Sequence, residues 1–164
     1  MSDDGVGVRV IQRLAAGYRF PPEVSLLDGG TLGLDLLPRL EGVERLLVVD
    51  AIESREVPGT LVRLSGDEVP MALATKLSPH QMGLKDLLAV ADLQGFFPAE
   101  VVLVGIQPAC IEMGMELSDV VAGRFDELTQ RVLDELAAWG LEPLSRLLKN
   151  SHLAAVLEKP PCAA

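Results

Sequence analysis

The side chains best placed for chemistry in this chain are acidic, with one imidazole among them. Asp50 ends the run Arg45-Leu46-Leu47-Val48-Val49, and Asp28 follows a short apolar run at 24–27. Asp3 and Asp4 precede an amphipathic segment, and His80 lies in Leu77-Ser78-Pro79-His80-Gln81. Two carboxylates and an imidazole suit a borderline divalent metal such as zinc or nickel. The candidates are scattered along the chain and no HExxH motif joins them, so spacing alone does not assemble a site. Each also has a structural reading. A strand-end Asp50 caps a turn, Asp3 and Asp4 favour a helix N-terminus, and His80 is a polar loop residue. Gly29-Gly30 reads as a tight turn, since it lacks the GxGxxG phosphate pattern. A nucleophilic pairing of Cys110 with His80 has no local signature behind it. Met113 and Met115 read as core filler.

The elements that must position these residues follow from periodicity. Val6, Val10 and Leu14 share one stripe of a helix over 5–16, with Asp3 or Asp4 as its cap. Residues 24–27 predict a short buried strand, and 32–40 a short helix disturbed in its last turn by Pro38. Arg45 to Asp50 and Val101 to Ile106 are apolar on both faces, as interior parallel strands are. Residues 60–64 alternate and predict an edge strand after Pro58-Gly59. Residues 66–82 read mostly as loop, and 84–93 as helix. Ser118 caps a long helix with the stripe Val121, Phe125, Leu128, Val132 and Leu136, stopped at Gly140. A weak amphipathic stretch follows over 144–157.

Helices alternating with buried strands predict an α/β fold, a three-layer sandwich with a twisted, mostly parallel sheet and helices on both faces. Ligands in such sheets sit at the carboxyl ends of the strands, here the loops after residues 27, 49 and 106. The 164 residues suit one domain, and 49% hydrophobic content excludes disorder. Twenty-four acidic against 14 basic residues give a net charge of −10, which disfavours nucleic acid and anionic membranes as partners. No apolar run reaches the ~18 residues of a spanning helix. Cys110 and Cys162 make neither a disulfide framework nor a metal pair, so a cytoplasmic, reducing setting is expected.

The same segments carry a family resemblance. Ser2-Asp3-Asp4-Gly5-Val6-Gly7-Val8-Arg9, Leu27-Asp28-Gly29-Gly30-Thr31 and Val48-Val49-Asp50-Ala51-Ile52 resemble, in order, the maturation endopeptidases of nickel–iron hydrogenases. Pro58-Gly59-Thr60, Ser78-Pro79-His80-Gln81, Val104-Gly105-Ile106-Gln107-Pro108 and the segment from Glu112 to Ser118 extend the likeness. The resemblance implies an endopeptidase that removes a C-terminal extension from the hydrogenase large-subunit precursor after nickel insertion. It implies nickel contact by Asp4, Asp50 and His80, with the nickel brought by the substrate and no organic cofactor. Asp28, Gly29, Gly30, Thr31 and Gln81 would form the supporting loops, and Asp28 is a candidate to orient His80 or a water. The attacking group is not assigned.

Two other readings remain open on the residues alone, a general zinc metallohydrolase and a non-catalytic nickel-sensing or escort protein for the large subunit. The resemblance covers the domain at 1–140 and leaves 141–164 as an unassigned extension. The family's first strand and Gly-Asn turn have no counterpart ahead of Ser2. The expectation is therefore a missing first strand, unpaired backbone on its neighbour, and Asp4 at a fraying terminus.

Overall fold

A computed structural model describes residues 2–29, 33–74, 79–111, 114 and 116–146, with the backbone alone at 72–74 and 79–82. A 3-10 turn, Asp3–Gly5, leads into helix α1, Val6–Gly17. Val6, Val10 and Leu14 are fully buried along the expected stripe. Strand β1, Tyr18–Arg19, follows directly. A second 3-10 turn, Gly33–Leu36, continues into α2, Leu37–Leu40. Then come β2 (Arg45–Ala51), β3 (Leu61–Ser65), α3 (Glu68–Ala74), α4 (Pro79–Leu93), β4 (Glu100–Ile106), α5 (Asp119–Ala138) and β5 (Leu144–Ser145).

The main sheet has the order β2-β4-β3. β2 and β4 are parallel, with Asp50 opposite Gly105, while β3 runs antiparallel to β4. The expected mostly parallel sheet is thus mixed among the described residues. The connection over residues 52–60 accounts for the difference, because it is shorter than the roughly dozen residues that a parallel crossover needs. β1 pairs antiparallel with β5, so the first residues after Pro143 return to the body of the fold.

Alternate residues of β4 point to opposite faces, and each face has its own core. Val102, Val104 and Ile106 pack with Val6, Val10 and Leu14 of α1 and with Val121, Leu128 and Val132 of α5. Val101 and Leu103 pack with Val69 of α3 and Leu88 of α4. Helices therefore cover both faces of the sheet.

Two local expectations are corrected. Residues 24–27 form no strand. Val24 and Leu26 turn partly inward while Leu27 is exposed, so this short run packs by side chains without joining a ladder. By contrast, Pro38 does lie in the last turn of the helical stretch 33–40. The stretch 66–82 is not mainly loop, since it holds all of α3 and the start of α4. Its prolines mislead as helix breakers. Pro70 and Pro79 occupy first turns, where the missing N–H has no intrahelical partner to lose.

Candidate metal-contact site at the carboxyl end of the sheet

The site starts from a close approach of backbone to backbone. A Cβ built on Gly7 would lie 2.3 Å from the carbonyl oxygen of Val49 and 3.6 Å from Asp50 Cα. Only glycine lets α1 settle this deeply on β2. Asp4 lies one helical turn ahead of Gly7, so the two project from the same side of the chain. The 3-10 turn holding Asp4 also packs on β2. Asp4, half-buried, is thereby carried to the strand end that bears Asp50.

Asp50 is 4% exposed, and its Oδ1 accepts the Ala51 N–H at 2.8 Å. The position opposite it is also glycine by necessity. A Cβ at Gly105 would lie 1.9 Å from Ile52 Cδ1 and 3.1 Å from the Asp50 carbonyl oxygen. His80 falls in the first turn of α4. Lower on this helix, Leu87 and Ala91 pack with Leu46 near the start of β2, so the helix begins toward the carboxyl end of the sheet. The His80 and Gln81 side chains lie outside the described residues, as do Gly30 and Thr31. A close crossing ties α4 to the segment after Asp28, because a Cβ on Gly83 would come within 2.9 Å of Gly33 Cα. Asp28 itself is exposed.

Among the described residues, no three carboxylate, imidazole or thiol side chains gather into a metal-binding group. Asp4 and Asp50 are oxygen donors brought to one end of the sheet, and oxygen with imidazole nitrogen suits a borderline divalent ion.

Asp3 behaves differently from a helix cap. The N-cap of α1 is Gly5, which has no side-chain cap bond. The Asp3 carboxylate is fully buried and accepts from Ala109 N, Cys110 N, Ser118 N and Ser118 Oγ at 2.7–2.9 Å. Burial alone would raise its pKa, but the hydrogen bonds from Ser118, Cys110 and Ala109 hold it below the ordinary carboxylate value. The N-terminal segment is further tied by Ser2 Oγ donating to the Glu116 carbonyl. The expectation that Asp4 sits on a fraying segment is overturned, because Ser2 and Asp3 before it are buried and bonded to the loop after β4.

A family model described as hydrogenase maturation protease matches residues 8–135. The chain belongs to the hydrogenase maturation protease family. It is similar to the hydrogenase expression/formation protein HupD of Rhodobacter capsulatus, with 45% identity over 86% of this chain and 68% of that protein. It is also 36% identical to the hydrogenase 2 maturation protease of Escherichia coli K12, over 89% of this chain and 90% of that one. Among solved structures, the hydrogenase maturating endopeptidase HybD from E. coli superposes with a TM-score of 0.85 at 36% identity, over 89% of this chain and 91% of that chain. The chain is accordingly an endopeptidase with an α/β fold.

In this maturation protease, sequence reasoning missed two positions at the carboxyl end of the sheet. One is Gly105, described above. The other is Gln107, which is buried, with its Oε1 accepting from Ser54 N at 2.7 Å and Ser54 Oγ at 3.0 Å. Its Nε2 donates to Glu53 Oε1, so one carboxamide fixes the turn that leaves β2. Its signals in the sequence are the Gln-Pro pair closing a buried strand and its place in the resembling segment Val104 to Pro108. An open groove of about 570 Å³ lies near this end, between Pro58–Gly59–Thr60 and the α5 residues Val120 and Arg124. Asp4 and Asp50 do not line it.

Proposed function

We propose that this protease cuts a C-terminal extension from the precursor of a nickel–iron hydrogenase large subunit once nickel has been inserted. In this reading Asp4, Asp50 and His80 contact the nickel as part of the substrate. The observation that carries it is the seating of the Asp4 turn on the end of β2, within a chain of the maturation protease family. Two carboxylates and one imidazole fill only part of a nickel coordination sphere and leave positions for ligands of the precursor. Such a set binds weakly alone and gains affinity when the substrate brings the ion, which makes it a checkpoint for loading. The contact also fixes the register of the peptide to be cut.

Asp28, with the loop at 29–31 and Gln81, supports His80 or an attacking water in this reading. The setting is the cytoplasm, which the two cysteines without a disulfide framework fit. Among the described residues no helix is long and apolar enough to cross a membrane.

The direct test mixes the protease with nickel-loaded large-subunit precursor and reads the product by mass spectrometry. The expected product has lost one C-terminal peptide. A precursor of unchanged mass after binding would contradict proteolysis, and unimpaired processing by Asp28→Ala would remove Asp28 from the mechanism.

A further inference from the structure

We infer that Asp3 is the positioning residue of this site, the buried clasp that sets Asp4 against the end of β2. The inference rests on the reading of Asp4 as a nickel contact. Asp3 joins three parts of the fold through one carboxylate. Its Oδ2 accepts from Ala109 N and Cys110 N in the loop after β4, and from Ser118 Oγ. Its Oδ1 accepts from Ser118 N at 2.7 Å, where α5 begins. The Asp3 N–H returns a bond to the Cys110 carbonyl at 3.2 Å. Ser118 at the same time caps α5 through Val121 N, so the clasp and the cap share one hydroxyl.

The turn that follows has a second anchor. Gly7 sits on the Val49 carbonyl with no space for a side chain. Asp4 therefore lies between two fixed points, Asp3 on the loop at 109–118 and Gly7 on β2. Neither anchor leaves the turn free to slide along the strand. Displacements of about 1 Å at a reacting centre cost on the order of 100-fold in rate, so a carboxylate meant to meet a substrate-borne ion needs this fixing.

The chemistry of the clasp requires a carboxylate. Both oxygens accept, and every partner is a donor. An asparagine would turn an amide N–H₂ toward either the Ala109 and Cys110 N–H groups or the Ser118 N–H. Asp3→Asn keeps the shape and reverses one set of bonds, so it shifts the turn without emptying the site of volume.

The test compares affinities for nickel-loaded and nickel-free precursor, measured with the full chain. The ratio of the two reports the nickel contact, whereas general loss of fold lowers both affinities together. Asp3→Asn is expected to reduce the ratio at least 10-fold toward that of Asp4→Ala, with nickel-free binding within twofold of wild type. Leu128→Ala, destabilised in the core far from the clasp, is expected to keep the wild-type ratio. Ser118→Ala removes only the hydroxyl bond and is expected to give a smaller loss of the ratio, which serves if Asp3→Asn does not fold. A wild-type ratio in Asp3→Asn (or in Ser118→Ala, should the first variant fail) would overturn the inference, as would equal losses for both precursor forms. A wild-type ratio in Asp4→Ala, or no nickel preference in the wild type, would instead bring down the underlying reading of the site and the inference with it.

Discussion

On the proposed nickel contact, Asp50→Asn is expected to slow processing of the nickel-loaded precursor by at least roughly 100-fold while leaving a cooperative fold, because it removes the carboxylate charge and keeps the side-chain shape. The asparagine has the same shape, and its carbonyl oxygen can still accept the Ala51 N–H that Asp50 Oδ1 accepts at 2.8 Å. What it loses is the charge that draws a divalent ion. Burial sharpens the effect, since a carboxylate 4% exposed meets the ion with little water to screen it. Rates with purified precursor and a parallel thermal melt separate the two consequences. Wild-type processing by Asp50→Asn would remove this residue from the nickel contact. A melt that loses cooperativity would instead mark Asp50 as a structural residue.

Gly7→Ala gives the largest expected loss of stability from the smallest change. In an ordinary helix this exchange stabilises by up to about 1 kcal/mol. Here the sign reverses, because the new Cβ would sit 2.3 Å from a backbone oxygen of β2, and backbone cannot rotate aside as a side chain can. Either α1 lifts from the sheet or β2 bends. Lifting α1 loosens the packing of Val6, Val10 and Leu14, all fully buried. Overpacking of this kind costs about 3 kcal/mol, or roughly 6–12 °C in melting temperature for a domain of this size. The same displacement moves Asp4 away from Asp50, so processing falls more than the melt alone accounts for. A melting temperature equal to or above wild type would contradict the close seating of α1 on β2.

The sequence made the scaffold legible where one period ran long. α1, α5 and β4 follow long stripes or a two-faced apolar run, and their burial agrees with those patterns, whereas β2 stands at an edge of the described sheet with Leu46 to Val49 only half-buried. The edge strand β3 forms where expected, though its residues are half-buried on both sides of the exposed Arg63 and do not alternate. Short segments were less legible, because tertiary neighbours decide them. Residues 24–27 are apolar enough for a strand but have no described strand beside them, and α3 and α4 hide behind prolines that start helices. The parallel pairing predicted for the sheet holds for β2 with β4 and fails for β3, whose direction depends on the turn at 52–60. That turn is fixed by Gln107, which is more than 45 residues away in the chain.

The site was legible as residue types and not as an arrangement. Asp4 and Asp50 were singled out from position and family likeness, and the fold carries them to one end of the sheet. Asp3 looked like the helix cap and is instead a clasp, since its partners Ala109, Cys110 and Ser118 lie over 100 residues downstream. Gly7 and Gly105 carry no chemistry and give no signal by type. Their role is empty space, which exists only when two backbones meet.

Under the proposed function, this family member reads nickel before it cuts. The most direct measurement follows the mass of the large-subunit precursor with and without inserted nickel, under the same protease and for the same time. The expected result is loss of the C-terminal peptide from the nickel-loaded precursor and an intact mass for the nickel-free one. Equal cleavage of both forms, or of neither, would contradict it.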